Sequence, residues 1–239
     1  MSQWWTYRLS DLLLFSARTY YRLFELYNAE VWPIHLVALA LGLVLVFVAW
    51  HRGAWAAPAA CTMVAACWAW VAWAFHLERF TTINWAATWY AGAFVLQGAL
   101  LLVCAGLDAH AGFHPARSPR GFAGWGLLLF ALVGQPSAGL LLGRPWRQAE
   151  VFGLAPDPTT LATLGLLLLL KPSDPRRVTF TSMLWPIPLA WCLLSGATLW
   201  AMRAADAWLM PGAALLAVVV AGQTPRGVYS PGTKIHNKR

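Results

Sequence analysis

The sequence predicts an all-α fold, a polytopic transmembrane helix bundle of about seven spans preceded by interfacial amphipathic helices. Three observations carry that reading. The chain of 239 residues is 59% hydrophobic and only 11% charged, a membrane-like balance. Its apolar residues gather in runs that approach or exceed the roughly 20 residues a helix needs to cross about 30 Å of hydrocarbon. The runs are long and continuous, whereas a membrane barrel shows short alternating segments.

Residues 1–30 are too polar to span. Tyr20, Tyr21, Phe24 and Tyr27 recur at helical spacing beside Arg18, Arg22 and Glu25, which predicts one or two helices lying in the interface with their rings in the headgroup layer. A helix packed on a partner protein is the alternative. The apolar run at 12–15 is too short for a signal-peptide core, so the N-terminus is expected to persist.

The first span covers 31–50, with Pro33 in its first turn, where a missing N–H is harmless, and His35 about one turn inside. The second covers 57–75 and carries Trp68, Trp70 and Trp73. A polar stretch at 75–85 then gathers His76, Glu78, Arg79 and Asn84 at one membrane face, and the third span, 85–107, holds Gln97 near its middle. The fourth, 121–142, is interrupted at Gly134, Gln135 and Pro136, a break tolerated only where neighbouring protein or a wet cavity satisfies the freed backbone. The fifth run, 159–170, covers only about 18 Å and is a short span or a re-entrant helix, leaving six spans in the second case. The sixth and seventh cover 183–202 and 207–221, the latter loosened by Pro211 and Gly212. The chain thus divides into an interfacial segment (1–30), a transmembrane helical domain (31–221) and a basic tail (222–239) expected to be disordered and cytoplasmic.

Charge orients the bundle. In the seven-span reading, the N-terminal face holds seven arginines and seven carboxylates, and the opposite face holds ten Lys and Arg with only Asp108 and Asp174, a net of +8. The positive-inside rule makes the basic face cytoplasmic and sends the N-terminus outward. The basic residues are scattered over connections rather than striped along a helix among stacking aromatics, which excludes nucleic acid as a partner. The expected partners are the lipid bilayer and a protein or a second copy of the chain. Cys61, Cys67, Cys104 and Cys192 lie inside apolar runs without a C-x-x-C pair and read as small buried side chains.

Several stretches match a known family in order: Tyr27-Asn28 with Trp32-Pro33, Phe75-His76 with Phe80 and Ile83-Asn84, Gln97-Gly98, and Phe152-Gly153 followed by Pro156, Pro158-Thr159-Thr160 and Gly165. On these residues the chain resembles the bacterial multi-pass membrane proteins grouped as domain of unknown function number 6064. The resemblance implies a polytopic protein of the bacterial inner membrane and supplies no activity.

Chemistry narrows the candidates without naming a reaction. Ionisable groups at the edge of lipid are costly and mark functional sites. His35 and His76 enter from the same face at similar depth, and as a pair they are the third-ranked reading, a metal- or haem-binding protein. His76 is expected to hydrogen-bond in a water-accessible pocket and to titrate near neutral pH. Glu30, Glu78 and Asp157 on that face suggest an acidic mouth for a cation or amine, with Asp157 or Thr159 as a plain helix cap in the alternative. Gln97 and Gln135 either bond between helices or line a pathway. No nucleophile elbow, phosphate loop or dinucleotide motif occurs, so no catalytic residue is assigned and no cofactor is expected. The leading reading is a small-solute permease or channel with an outward polar site around His76. The alternative is a non-catalytic anchor or accessory subunit of a larger membrane complex.

Overall fold

The computed structural model describes residues 15–51 and 53–223. The expectations for 1–14 and for the tail beyond 223 lie outside the described residues. A helix α1 (Ala17–Glu30) is followed by α2 (Ile34–His51), α3 (Ala56–Trp70) with a π-helical turn (Val71–Leu77), and α4 (Ala87–Leu107). After a two-residue strand β1 (Gly112–Phe113) come α5 (Pro119–Leu129), a second π-helical turn (Phe130–Gly134) and α6 (Gln135–Leu141). The chain continues through α7 (Pro156–Leu169), β2 (Leu170–Lys171), α8 (Val178–Ser182), α9 (Pro186–Ala201) and α10 (Leu209–Gly222).

Five stretches are long and apolar enough to cross a membrane: Ile34–His51, Ala56–Thr82, Ala87–Leu107, Pro119–Leu141 and Val178–Ala201. Their outward faces carry exposed apolar side chains such as Val37, Leu43, Phe47, Trp89, Val95 and Leu193, the surface that a lipid solvent demands. The expected break in the fourth span is a widening: the π-turn at Phe130–Gly134 leads directly into α6. Pro136 has no N–H to give, and a wider turn relieves the clash of its ring with the preceding carbonyls.

The short fifth run proves to be the centre of the bundle. Every residue of α7 from Pro156 to Leu169 is buried, against α3, α5, α9 and α10. A helix apolar on all sides belongs inside. At its start, Tyr27 donates to the carbonyl of Leu154 at 3.1 Å. At its end, Leu170 and Lys171 pair antiparallel with Phe113 and Gly112, so α7 joins the two faces of the bundle and is not re-entrant. Its 14 residues rise about 21 Å, which suffices because α7 is solvated by helices and need not match the bilayer.

The two faces are tied differently. On the basic face, Asp108 at the end of α4 accepts from the backbone N–H and hydroxyl of Ser173, and Arg120 on α5 donates to the carbonyl of Ala221 on α10. On the opposite face α1 packs along the end of α3 and the turns beyond it. Ser16 caps it by accepting from the Thr19 N–H at 3.2 Å. Its Tyr20, Leu23, Phe24 and Tyr27 are buried, with Phe24 stacked on Phe75 at 5.0 Å between centroids and Tyr27 edge-on to the same ring at 5.6 Å. These rings therefore face protein and not the headgroup layer, because the aromatic end of α3 offers them a dry partner.

Candidate functional site

The residues singled out in the sequence separate into three groups. The first is structural. Glu30 pairs with Arg79, Glu78 is exposed and gives only its carbonyl to Arg79, and Asn84 accepts from the Ala86 N–H at 3.0 Å to close the turn into α4. With Asp157 fully buried, no acidic mouth forms from Glu30, Glu78 and Asp157. Gln97 donates to the carbonyl of Leu184 at 3.1 Å, holding the junction of α8 and α9 against α4.

The second group surrounds His76. Its ring is 0% exposed and boxed by Phe75, Phe80, Tyr90, Phe94 and Trp191, with Phe94 at 4.4 Å and Trp191 at 5.1 Å between centroids. Neither ring nitrogen has a hydrogen-bond partner, so the water-accessible, hydrogen-bonded pocket expected for His76 does not form. The cause is the π-turn at Val71–Leu77. His76 lies within this turn, whose inserted residue shifts its direction from that of an unbroken α count. His35 stands elsewhere, with Nε2 3.2 Å from Asn28 Oδ1 and its ring beside Trp32. The two histidines share no partner, and among the described residues no group of three or more His, Cys, Asp or Glu is placed to hold a metal ion.

The third group was only partly visible in the sequence. Asp157, in the first turn of α7, accepts from Trp191 Nε1 at 2.8 Å and from the Ser195 hydroxyl at 2.6 Å. Trp191 and Ser195 are one helical turn apart on α9, so they present both donors on one face. Trp191 thus links the His76 box to the carboxylate. Asp157 is no cap: the residue that ties the loop is Thr159, which accepts from the Gly153 N–H at 3.0 Å and donates to the Ala155 carbonyl at 2.7 Å.

Beside Asp157 lie Glu150, Asp206 and Arg144, none of them singled out as a site residue in the sequence. Arg144 pairs with Asp206, and its guanidinium lies 4.5 Å from the centre of the Tyr21 ring. Glu150 is buried, feels the charges of Asp157, Asp206 and Arg144, and meets Gln135 from the widened fourth span. One Glu150 oxygen and the Gln135 oxygen have no partner. Residues 149–151 alternate sides: Ala149 is extended, Ala149 and Val151 line a cleft of about 840 Å³, and Glu150 points the other way, into the bundle.

Burial first, and then the charge of Asp157, push the Glu150 carboxyl well above the ordinary carboxylate range, with Arg144 opposing. A carboxyl raised in this way keeps its proton above the pH near 4.3, roughly, at which unfolded glutamates ionise. The folded chain then holds the extra proton, and stability falls as pH rises from that value through the raised one, by about 1.4 kcal/mol for each pH unit of the window. Glu150→Gln carries no such proton. It is expected to flatten the thermal-melting profile in detergent on the side above the ordinary glutamate value, and an unaltered profile would show that Glu150 is not raised.

With this geometry in view, the comparison with known families decides membership. The family described as a family of unknown function, DUF6064, matches residues 17–227. The chain belongs to this family. The DUF6064 match opens at the first residue of α1 and takes in α2 through α10, so α1 falls within the matched region. No curated protein and no solved structure matches the chain.

Proposed function

We propose that the chain is a small-solute permease of the bacterial inner membrane, with its N-terminal face outside and its C-terminus cytoplasmic, and that the Glu150, Asp157, Asp206 and Arg144 cluster carries the proton that drives it. The observation that supports this reading most is the buried Glu150 carboxyl, which has an unpartnered oxygen in a cluster of three carboxylates and one arginine. Buried ionisable groups in membrane bundles are expensive and mark proton and ion relays. With Glu150 protonated and the others charged, the cluster bears a net charge of −1; on losing that proton it bears −2, which favours either recapture of a proton or admission of a cation. Gln135 joins the cluster from the helix widened by a π-turn, a feature that often accompanies function. The orientation rests on the excess of basic residues on the opposite face.

The test is uptake into proteoliposomes carrying an inward proton gradient, using a panel of labelled amino acids, amines and organic acids. The parent is expected to concentrate at least one class when the gradient is present, and Glu150→Gln to fall to the level of empty vesicles. Uptake that persists in Glu150→Gln removes the cluster from the mechanism. No uptake of any class, together with a stable protein partner on native purification, makes the chain an accessory subunit instead.

A further inference from the structure

The cleft in front of Ala149 and Val151 is divided into two chemistries by depth. Its upper part is formed by Arg22, Glu25 and Asn28 of α1, His35 of α2, and Arg147. Its lower part is formed by Leu36 and Leu39 of α2 and by Leu132, Val133 and Pro136 from the fourth span. Trp32 and Trp146 stand at the upper rim, each largely exposed, in the position that interfacial tryptophans take at headgroup level. Leu36, Leu39 and Val133 are 57%, 51% and 66% exposed, so in a bilayer the lower part opens sideways onto acyl chains.

Charge selects the occupant further. Arg22 pairs with Glu25 at 2.7 Å, whereas the exposed Arg147 guanidinium makes no ion pair within bonding distance among the described residues, although Glu25 also feels its charge. The upper half therefore sets two arginines against the single carboxylate of Glu25, a net of one positive charge. A polar solute would leave the apolar half unfilled, and a hydrocarbon would cover Arg147 without answering its charge. We infer that this cleft holds a single bilayer lipid with an anionic headgroup, its headgroup at Arg147 and one acyl chain along Leu36, Leu39 and Val133. The site stands independently of the transport reading, since it lies on the lipid side of the wall that Glu150 backs.

Arg147 can be probed with the loop held in place, because its hydrogen bond to α1 is made by the backbone carbonyl, which accepts from Asn28 at 2.9 Å, and its exposed side chain adds only a charge felt by Glu25. The experiment titrates the purified protein in detergent with phosphatidylglycerol and, separately, with phosphatidylcholine of the same chains, reading retained adducts by native mass spectrometry. One phosphatidylglycerol is expected per chain, bound about fivefold more tightly than phosphatidylcholine, with Arg147→Gln erasing that preference. Leu39→Asp should weaken both lipids, because it places a charge on the acyl path. Equal binding of the two lipids by the parent overturns the inference, and so does a preference that survives Arg147→Gln. Competition by glycerol phosphate as effective as by the intact lipid also overturns it, because the site would then take a free anion.

Discussion

Gly165→Leu is expected to leave no folded protein, and Gly165→Ala to cost about 2 kcal/mol, while Gly126→Ala on the facing helix costs nothing and stabilises by up to about 1 kcal/mol. Gly165 sits where α7 crosses α5. A Cβ there would lie 2.8 Å from the Gly124 carbonyl oxygen and 2.8 Å from the Leu128 nitrogen, and one on Gly124 would lie 2.9 Å from the Gly165 carbonyl oxygen. These neighbours are backbone and cannot swing aside. Two helices this close gain dispersion along their whole length, which is the main source of helix association in lipid, and one methyl group holds them apart. Gly126 is exposed and has nothing within 4 Å of its would-be Cβ, so its replacement reports on glycine as such. Detergent-solubilised melting of the three variants decides the matter. A Gly165→Leu protein that melts with the parent would mean that α7 is not the central helix.

The same helix shows what a sequence of this kind reveals and hides. The apolar runs placed the spans to within a few residues, because length and hydropathy alone decide whether a segment can sit in hydrocarbon. Inside the runs the information thins out. Helix α3, which leads into the π-turn at Val71–Leu77, is apolar around its circumference, so it has no polar face whose phase could reveal the turn, and the inward placement of His76 was invisible. The amphipathic α1 did have a phase, and Tyr20, Phe24 and Tyr27 were legible as part of its buried face, while Leu23 also lies there and Tyr21 is only half-buried. The partner of that face was not, since a headgroup layer and a packed aromatic surface ask for the same rings. Arg144, Glu150 and Asp206 sit in connections where charge normally means solvent, and only the fold brings them together. The spacing of Trp191 and Ser195 was the one readable sign that α9 presents paired donors to a buried acceptor.

That acceptor is the basis of the last expectation: Asp157→Ala loses about 3–5 kcal/mol, more than any replacement of Glu30, Glu78 or Asn84. Both Asp157 oxygens are in use, one at 2.8 Å from the Trp191 nitrogen and one at 2.6 Å from the Ser195 hydroxyl, and the carboxyl is 1% exposed. Truncation therefore strands two donors where no water reaches them, each at a cost of about 1–3 kcal/mol. Asp157→Asn should fall between parent and Ala, because its amide can accept from one donor but turns an N–H against the other. Trp191→Phe removes the indole N–H while keeping an aromatic ring against His76. Combined with Asp157→Ala it should be less damaging than the sum of the two, by about 1.5–3 kcal/mol, the coupling expected of a hydrogen bond to a charged group. Such a cycle, run on detergent-solubilised protein, separates this bond from the packing around it. Strict additivity would mean that the indole and the carboxyl do not interact, and the link from the His76 box to the buried carboxylates would then be lost.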